Sequence, residues 1–99
     1  MVIELRKTGR FARWLDELSD IRARARVLAR LDRLAEGNPG DVKPVGEGVS
    51  ELRINYGPGY RVYYQAQGRT IVILLAGGTK RTQPQDIKVA LRLARELSE

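Results

Sequence analysis

Ser50-Glu51-Leu52-Arg53-Ile54-Asn55-Tyr56-Gly57-Pro58-Gly59-Tyr60-Arg61-Val62-Tyr63-Tyr64-Gln65 reads as two strands around a tight reversal. Leu52 and Ile54 alternate with Glu51, Arg53 and Asn55. Tyr60, Val62 and Tyr64 alternate with Arg61, Tyr63 and Gln65. A period of two, with one apolar side, is the pattern of a half-buried strand. Strands are therefore predicted over Ser50–Tyr56 and Tyr60–Gln65, joined by the turn residues Gly57-Pro58-Gly59. Gln67-Gly68 marks a second hairpin into Thr70–Ala76, which is apolar on both faces and so belongs inside a sheet, ending at Gly77-Gly78. Upstream, Val42–Val45 forms a short extended piece.

Outside this meander the period changes to that of helices. Thr8 is placed to cap a helix over Gly9–Leu18, where Phe11, Trp14, Leu15 and Leu18 share one side. After Ser19-Asp20 a second helix over Ile21–Glu36 carries an apolar stripe of Ile21, Ala25, Leu28, Leu31 and Ala35, widened by Val27 and Leu34. A row of Arg22, Arg26, Arg30 and Arg33 runs beside it and is expected to be a solvated face. Gly37-Asn38-Pro39-Gly40 stops the helix. The near-absence of a linker between the two makes an αα-hairpin. Met1–Arg6 reads as a strand, and a last helix starts near Thr82 or Gln83 with Ile87, Ala90, Leu91, Ala94 and Leu97 in register to the C-terminus. The expected architecture is α+β: an N-terminal strand, an αα-hairpin, an antiparallel meander of three to four strands and a C-terminal helix, in one domain over residues 1–99.

The chain of 99 residues has no cysteine and no histidine, and its 18 basic residues against 12 acidic ones give a net charge of +6. Disulfide frames, thiolate nucleophiles, zinc ribbons and Ser-His-Asp triads are excluded, and no metal or cofactor is expected. Any catalysis must use carboxylates, lysine, arginine, tyrosine, hydroxyls or backbone groups. The N-terminus lacks the apolar core of a secretory signal, and the longest apolar run, Ile71–Ala76, is far short of the ~20 residues needed to span a bilayer. The expectation is a cytoplasmic protein with no membrane partner. The basic balance favours an anionic partner, a nucleic acid or an acidic protein.

Alternation locates that charge. With Leu52, Ile54, Tyr60, Val62 and Tyr64 against the helices, Arg53, Asn55, Arg61, Tyr63 and Gln65 share the opposite face. Thr79, Lys80 and Arg81 follow at its mouth. Guanidinium groups suit phosphate, and a tyrosine ring suits a stacked base. Gly57-Pro58-Gly59 and Gly77-Gly78-Thr79-Lys80 lack the spacing of a Walker loop. Trp14 belongs to the core stripe, and Glu51 and Asp86 are expected to be arginine partners rather than general bases.

Glu51–Tyr64, Ile71–Leu75 and Gly77-Gly-Thr-Lys-Arg-Thr-Gln-Pro-Gln-Asp-Ile87 together resemble the RelE/ParE toxin superfamily, and within it the HigB-like, phage-derived addiction module killer proteins. The resemblance covers nearly the whole chain. It implies the toxin of a type II toxin–antitoxin module. The implied partner is a cognate antitoxin, commonly a helix-turn-helix protein encoded by an adjacent gene. The favoured activity is that of a ribosome-dependent mRNA endonuclease that inhibits translation. The alternatives are a ParE-like inhibitor of DNA gyrase without catalytic activity and a non-toxic RNA-binding remnant. Carried onto this sequence, the family's pattern gives Arg61 and Arg81 as phosphate holders and Arg53 as the residue positioning the RNA backbone. Lys80 falls in the same carried-over set, and crowding by Arg61 and Arg81 makes it the candidate proton-transfer group. Tyr63, placed on that face by alternation, is a base-stacking or proton-relaying ring, with Asn55 and Gln65 as further RNA contacts. The C-terminal Tyr or His of many family RNases has no counterpart in Gln83–Ile87, so Tyr63, Lys80 or Asp86 would have to substitute.

Overall fold

The computed structural model describes residues 2–97. Met1, at the start of the first predicted strand, and Ser98-Glu99, at the end of the last predicted helix, lie outside them. The elements are β1 (Glu4–Lys7), α1 (Gly9–Asp16), α2 (Ile21–Ala35), β2 (Val42–Gly46), β3 (Val49–Ile54), β4 (Tyr60–Gln67), β5 (Ile71–Thr79), a 3-10 turn (Lys80–Thr82) and α3 (Gln83–Leu97). The five strands form one mixed sheet in the order β1-β5-β4-β3-β2. β2 to β5 are the antiparallel meander at its full length of four strands, and β1 adds to β5 in parallel.

Local chemistry sets the helix starts. The Thr8 hydroxyl accepts from the Phe11 N–H at 3.0 Å and donates to the Leu75 carbonyl at 2.7 Å, so one side chain caps α1 and ties it to β5. Asp20 caps α2, accepting from the N–H groups of Arg22 and Ala23. The buried row of α2 is Ala23, Val27, Leu31 and Leu34, rotated from the expected stripe: Ile21 is 81% exposed and Leu28 40%. The arginine row is not simply solvated either. Arg30 donates to the carbonyls of Arg53, Pro39 and Asp41, and the Arg26 guanidinium lies 4.6 Å from the Tyr56 ring centre.

Both faces of the sheet are covered. Phe11, Leu15, Val27, Leu31, Leu52, Ile54, Tyr60, Val62, Tyr64, Val72 and Leu74 form the core between the sheet and the αα-hairpin, as the alternation predicts, and Trp14 packs against it. The other face is a second core, not an open polar surface. Val49, Tyr63, Ile73, Leu75 and Ala76 lie under Val89, Ala90 and Ala94 of α3. The apolar stripe of α3 needs a partner, and this face provides it. A register shift between Tyr63 and Tyr64 against β5 places consecutive Leu75 and Ala76 in that same core. At its far end α3 is clamped by a two-pronged pair: Arg95 donates from Nε and a terminal nitrogen to the Glu47 carboxylate at 2.8 and 2.7 Å.

β5 also continues through Gly77-Gly78 to Thr79 rather than ending there. The glycines admit neighbours on opposite sides of the strand. A Cβ on Gly77 would sit 2.2 Å from Trp14 Cε3, and one on Gly78 would sit 1.8 Å from Asp86 Oδ2. They are close-approach positions and not strand breakers.

Candidate nucleic-acid interface

α3 covers most of the second face and leaves its end beside the β3–β4 turn open. Gly57 and Gly59 turn there with φ of +54° and +80°, a backbone that glycine adopts without strain. The Gly59 carbonyl accepts the Lys80 N–H at 2.8 Å, which holds the segment after β5 against the turn. The result is an open cavity of about 440 Å³ lined by Asp41, Arg53, Asn55, Gly57, Pro58, Gly59, Arg61 and Lys80. Its lining includes three basic residues and one acidic residue.

The two arginines come from paired positions. Arg53 on β3 lies opposite Arg61 on β4, so their side chains project on the same face. Like charges side by side repel, and the counter-charge lies beneath them. Glu51 is fully buried. Its Oε1 accepts from Arg53 Nε at 3.0 Å and stands 3.8 Å from Arg61 Nε. Its Oε2 accepts from the Tyr63 hydroxyl at 3.1 Å and from Gln83 Nε2 at 2.6 Å. Burial pushes the Glu51 carboxyl up. The hydrogen bonds from Arg53, Gln83 and Tyr63 and the Arg53 charge outweigh it, and the group stays below the usual carboxylate range. Tyr63 moves the opposite way, raised by burial and then by the Glu51 charge and hydrogen bond. Arg61 uses one donor on the Tyr60 carbonyl, at 3.2 Å, and its Nε has no hydrogen-bond partner.

The expected constellation is thus divided. Arg53, Asn55, Arg61 and Lys80 meet at the cavity. Arg81 follows Lys80 in the 3-10 turn and is exposed, outside the lining. Tyr63 shares the face but lies under α3 with no exposed surface and its hydroxyl engaged, so its ring has no side free for a base. Gln65 sits toward the opposite end of β4, donating to the Glu47 carbonyl at 3.3 Å in a separate hollow with Arg95. Asp86 accepts from the Thr82 hydroxyl. Asp41 is the lining residue that alternation passed over, because it precedes β2 and carries no strand pattern. Its carbonyl accepts the Arg53 N–H at 3.0 Å, and that long-range pairing brings it to the rim. Among the described residues no cluster of carboxylates suits a metal ion, and no helix is long and apolar enough to cross a membrane.

The chain is similar to known proteins along nearly its full length. The model of the phage-derived Gp49-like family matches residues 13–98. A Haemophilus influenzae protein, described as uncharacterized, is 50% identical over 97 residues, spanning 98% of each chain. A mutant of the E. coli toxin RelE in its free state superposes with a TM-score of 0.75 at 16% identity, over 93% of this chain and 97% of that one. The toxin–antitoxin complex RelBE2 of Mycobacterium tuberculosis gives a TM-score of 0.65 at 24% identity, over 81% of this chain and 100% of the matched one. The chain belongs to the Gp49-like family of phage-derived proteins, and it carries the fold of the RelE toxin.

Proposed function

We propose that the protein is the toxin of a type II toxin–antitoxin module, of the HigB-like kind, acting in the cytoplasm as a ribosome-dependent mRNA endonuclease. The observation that carries this reading is the convergence of Arg53, Asn55, Arg61 and Lys80 on one open cavity at the end of a RelE-type sheet. Arg61 and Arg53 face the scissile phosphate. Pre-aimed donors that meet charge developing in a transition state are worth roughly 2.7–4 kcal/mol each. The ribose 2′ oxygen bonds to the adjacent phosphorus and the bond to the 5′ oxygen breaks, leaving a 2′,3′-cyclic phosphate and a 5′-hydroxyl end.

Two protons must move. Tyr63 and Asp86 are engaged by Glu51 and Thr82, whereas Asp41 and Lys80 line the cavity. We assign Asp41 to accept the 2′ proton and Lys80 to supply one to the departing oxygen. Arg81, exposed beside the mouth, contacts the flanking RNA backbone. Ribosomal presentation of RNA already bent for in-line attack offsets the absence of an imidazole. The partner is an antitoxin encoded beside the toxin, a reading supported by the similarity to a chain of a toxin–antitoxin complex.

Induced expression of the native protein and of Arg61→Ala tests this. The native protein arrests growth and the variant does not, while both bind the antitoxin. Equal arrest by both would overturn the assignment. Arrest with intact mRNA and double-strand DNA breaks would establish the gyrase reading instead.

A further inference from the structure

We propose that Glu51 is the positioning residue of the site, a buried carboxylate that sets the two cavity arginines and couples them to α3. The inference rests on the endonuclease reading for its chemistry and on geometry for its mechanism. The two oxygens of Glu51 are divided between different parts of the molecule. Oε1 faces the arginines, bonded to Arg53 Nε and 3.8 Å from Arg61 Nε. Oε2 faces the second core, bonded to Tyr63 on β4 and to Gln83 in the first turn of α3. A carboxylate held at both ends has little freedom to tilt. The guanidinium groups above it inherit that fixed direction.

The arrangement also balances charge. Arg53 and Arg61 pair across β3 and β4 and share one carboxylate, which cancels half of their charge and leaves the remainder for a phosphate. Arg53 spends Nε on Glu51, so its terminal N–H groups stay free for a ligand. Arg61 Nε is buried without a partner, stopped outside hydrogen-bond reach of the same oxygen. Glu51 itself is no general base. It has no exposed surface, three donors occupy it, and its lowered pKa disfavours taking a proton.

Glu51→Gln keeps the size of the side chain and removes its charge. Three readouts are compared between native protein and variant: binding of a short oligouridine strand, cleavage of mRNA on programmed ribosomes, and the side-chain Nε–H resonances of Arg53 and Arg61. The positioning role predicts that the variant binds oligouridine at least as tightly, because the protein has gained a net positive charge. Its cleavage falls about ten- to a hundredfold, the scale expected for misplaced catalytic groups. The Arg53 Nε–H resonance shifts and exchanges faster with solvent, because a neutral amide oxygen accepts more weakly than a carboxylate. A fall in binding and cleavage by the same factor, or unchanged Nε–H resonances, would overturn the proposal. If Glu51→Gln does not fold, Gln83→Met serves: it removes one tether from Oε2 outside the cavity. It must lower cleavage while leaving oligouridine binding unchanged, and full cleavage would refute the coupling to α3. Altered Nε–H resonances in a protein whose native form cuts no mRNA would leave the positioning role standing and remove the endonuclease reading.

Discussion

At the scale of single residues, the site depends on groups that never reach solvent. Removing the Tyr63 hydroxyl leaves Glu51 with one donor fewer. Tyr63→Phe is expected to lose about 1.5–3 kcal/mol in urea unfolding, the usual range for a hydrogen bond to a charged group. Glu51 also gives the fold a defined acid response. Its carboxyl titrates near 4.5 when unfolded and lower when folded, so the stability it contributes is present above that value and is lost as pH falls through the folded pKa. The groups around it are Arg53, Arg61, Tyr63 and Gln83. Unfolding followed between pH 6 and 3 should show a smaller acid-induced loss in Glu51→Gln than in the native protein. Gly78→Ala acts by steric overlap instead. Its Cβ would meet the Asp86 carboxylate at 1.8 Å, so the Asp86 side chain must swing away and give up its hydrogen bond from Thr82, at a cost of about 1–3 kcal/mol in urea unfolding.

Among the elements, those with a strong local signal were legible in the sequence. Alternation placed β3 and β4 on the correct faces, and Leu52, Ile54, Tyr60, Val62 and Tyr64 pack beneath the αα-hairpin as expected. Thr8 and Asp20 cap where the side-chain chemistry says they must. Thr8→Ala should cost about 1 kcal/mol or more, measured by thermal unfolding, because the cap and the tie to Leu75 are lost together. What was not legible depends on contacts distant in the chain. The amphipathic stripe of α3 was visible, but not the face it would cover, so Tyr63 and Gln65 were expected to lie open beside Arg61. Gly77-Gly78 resembled a strand end because nothing nearby in sequence announces Trp14 on one side and Asp86 on the other. On α2 the stripe held at Val27, Leu31 and Leu34 but not at Ile21 and Leu28: a helix rich in alanine and leucine has several apolar edges, and the sheet selected the one that includes Ala23. The same locality explains the site. Arg53, Asn55 and Arg61 followed from strand period, and Glu51 was expected as an arginine partner, whereas Asp41 and the ties of Glu51 to Tyr63 and Gln83 required the tertiary structure.

For the whole molecule, the absence of histidine and the charge of +6 acquire a common meaning. Three of the basic residues, Arg53, Arg61 and Lys80, line a cavity at one end of the sheet, and the proposed proton transfers there use Asp41 and Lys80. Binding to single-stranded RNA through phosphate contacts should weaken steeply as salt rises, with a shallower slope once Lys80 or Arg61 is replaced by alanine. The central claim, that this cavity holds and cuts the RNA backbone, is tested most directly by mapping transcript 5′ ends in bacterial cells after brief expression of the native protein and of Arg61→Ala. The account predicts new 5′-hydroxyl ends within translated codons for the native protein and none for the variant. Growth arrest by the native protein with transcripts left intact would contradict it.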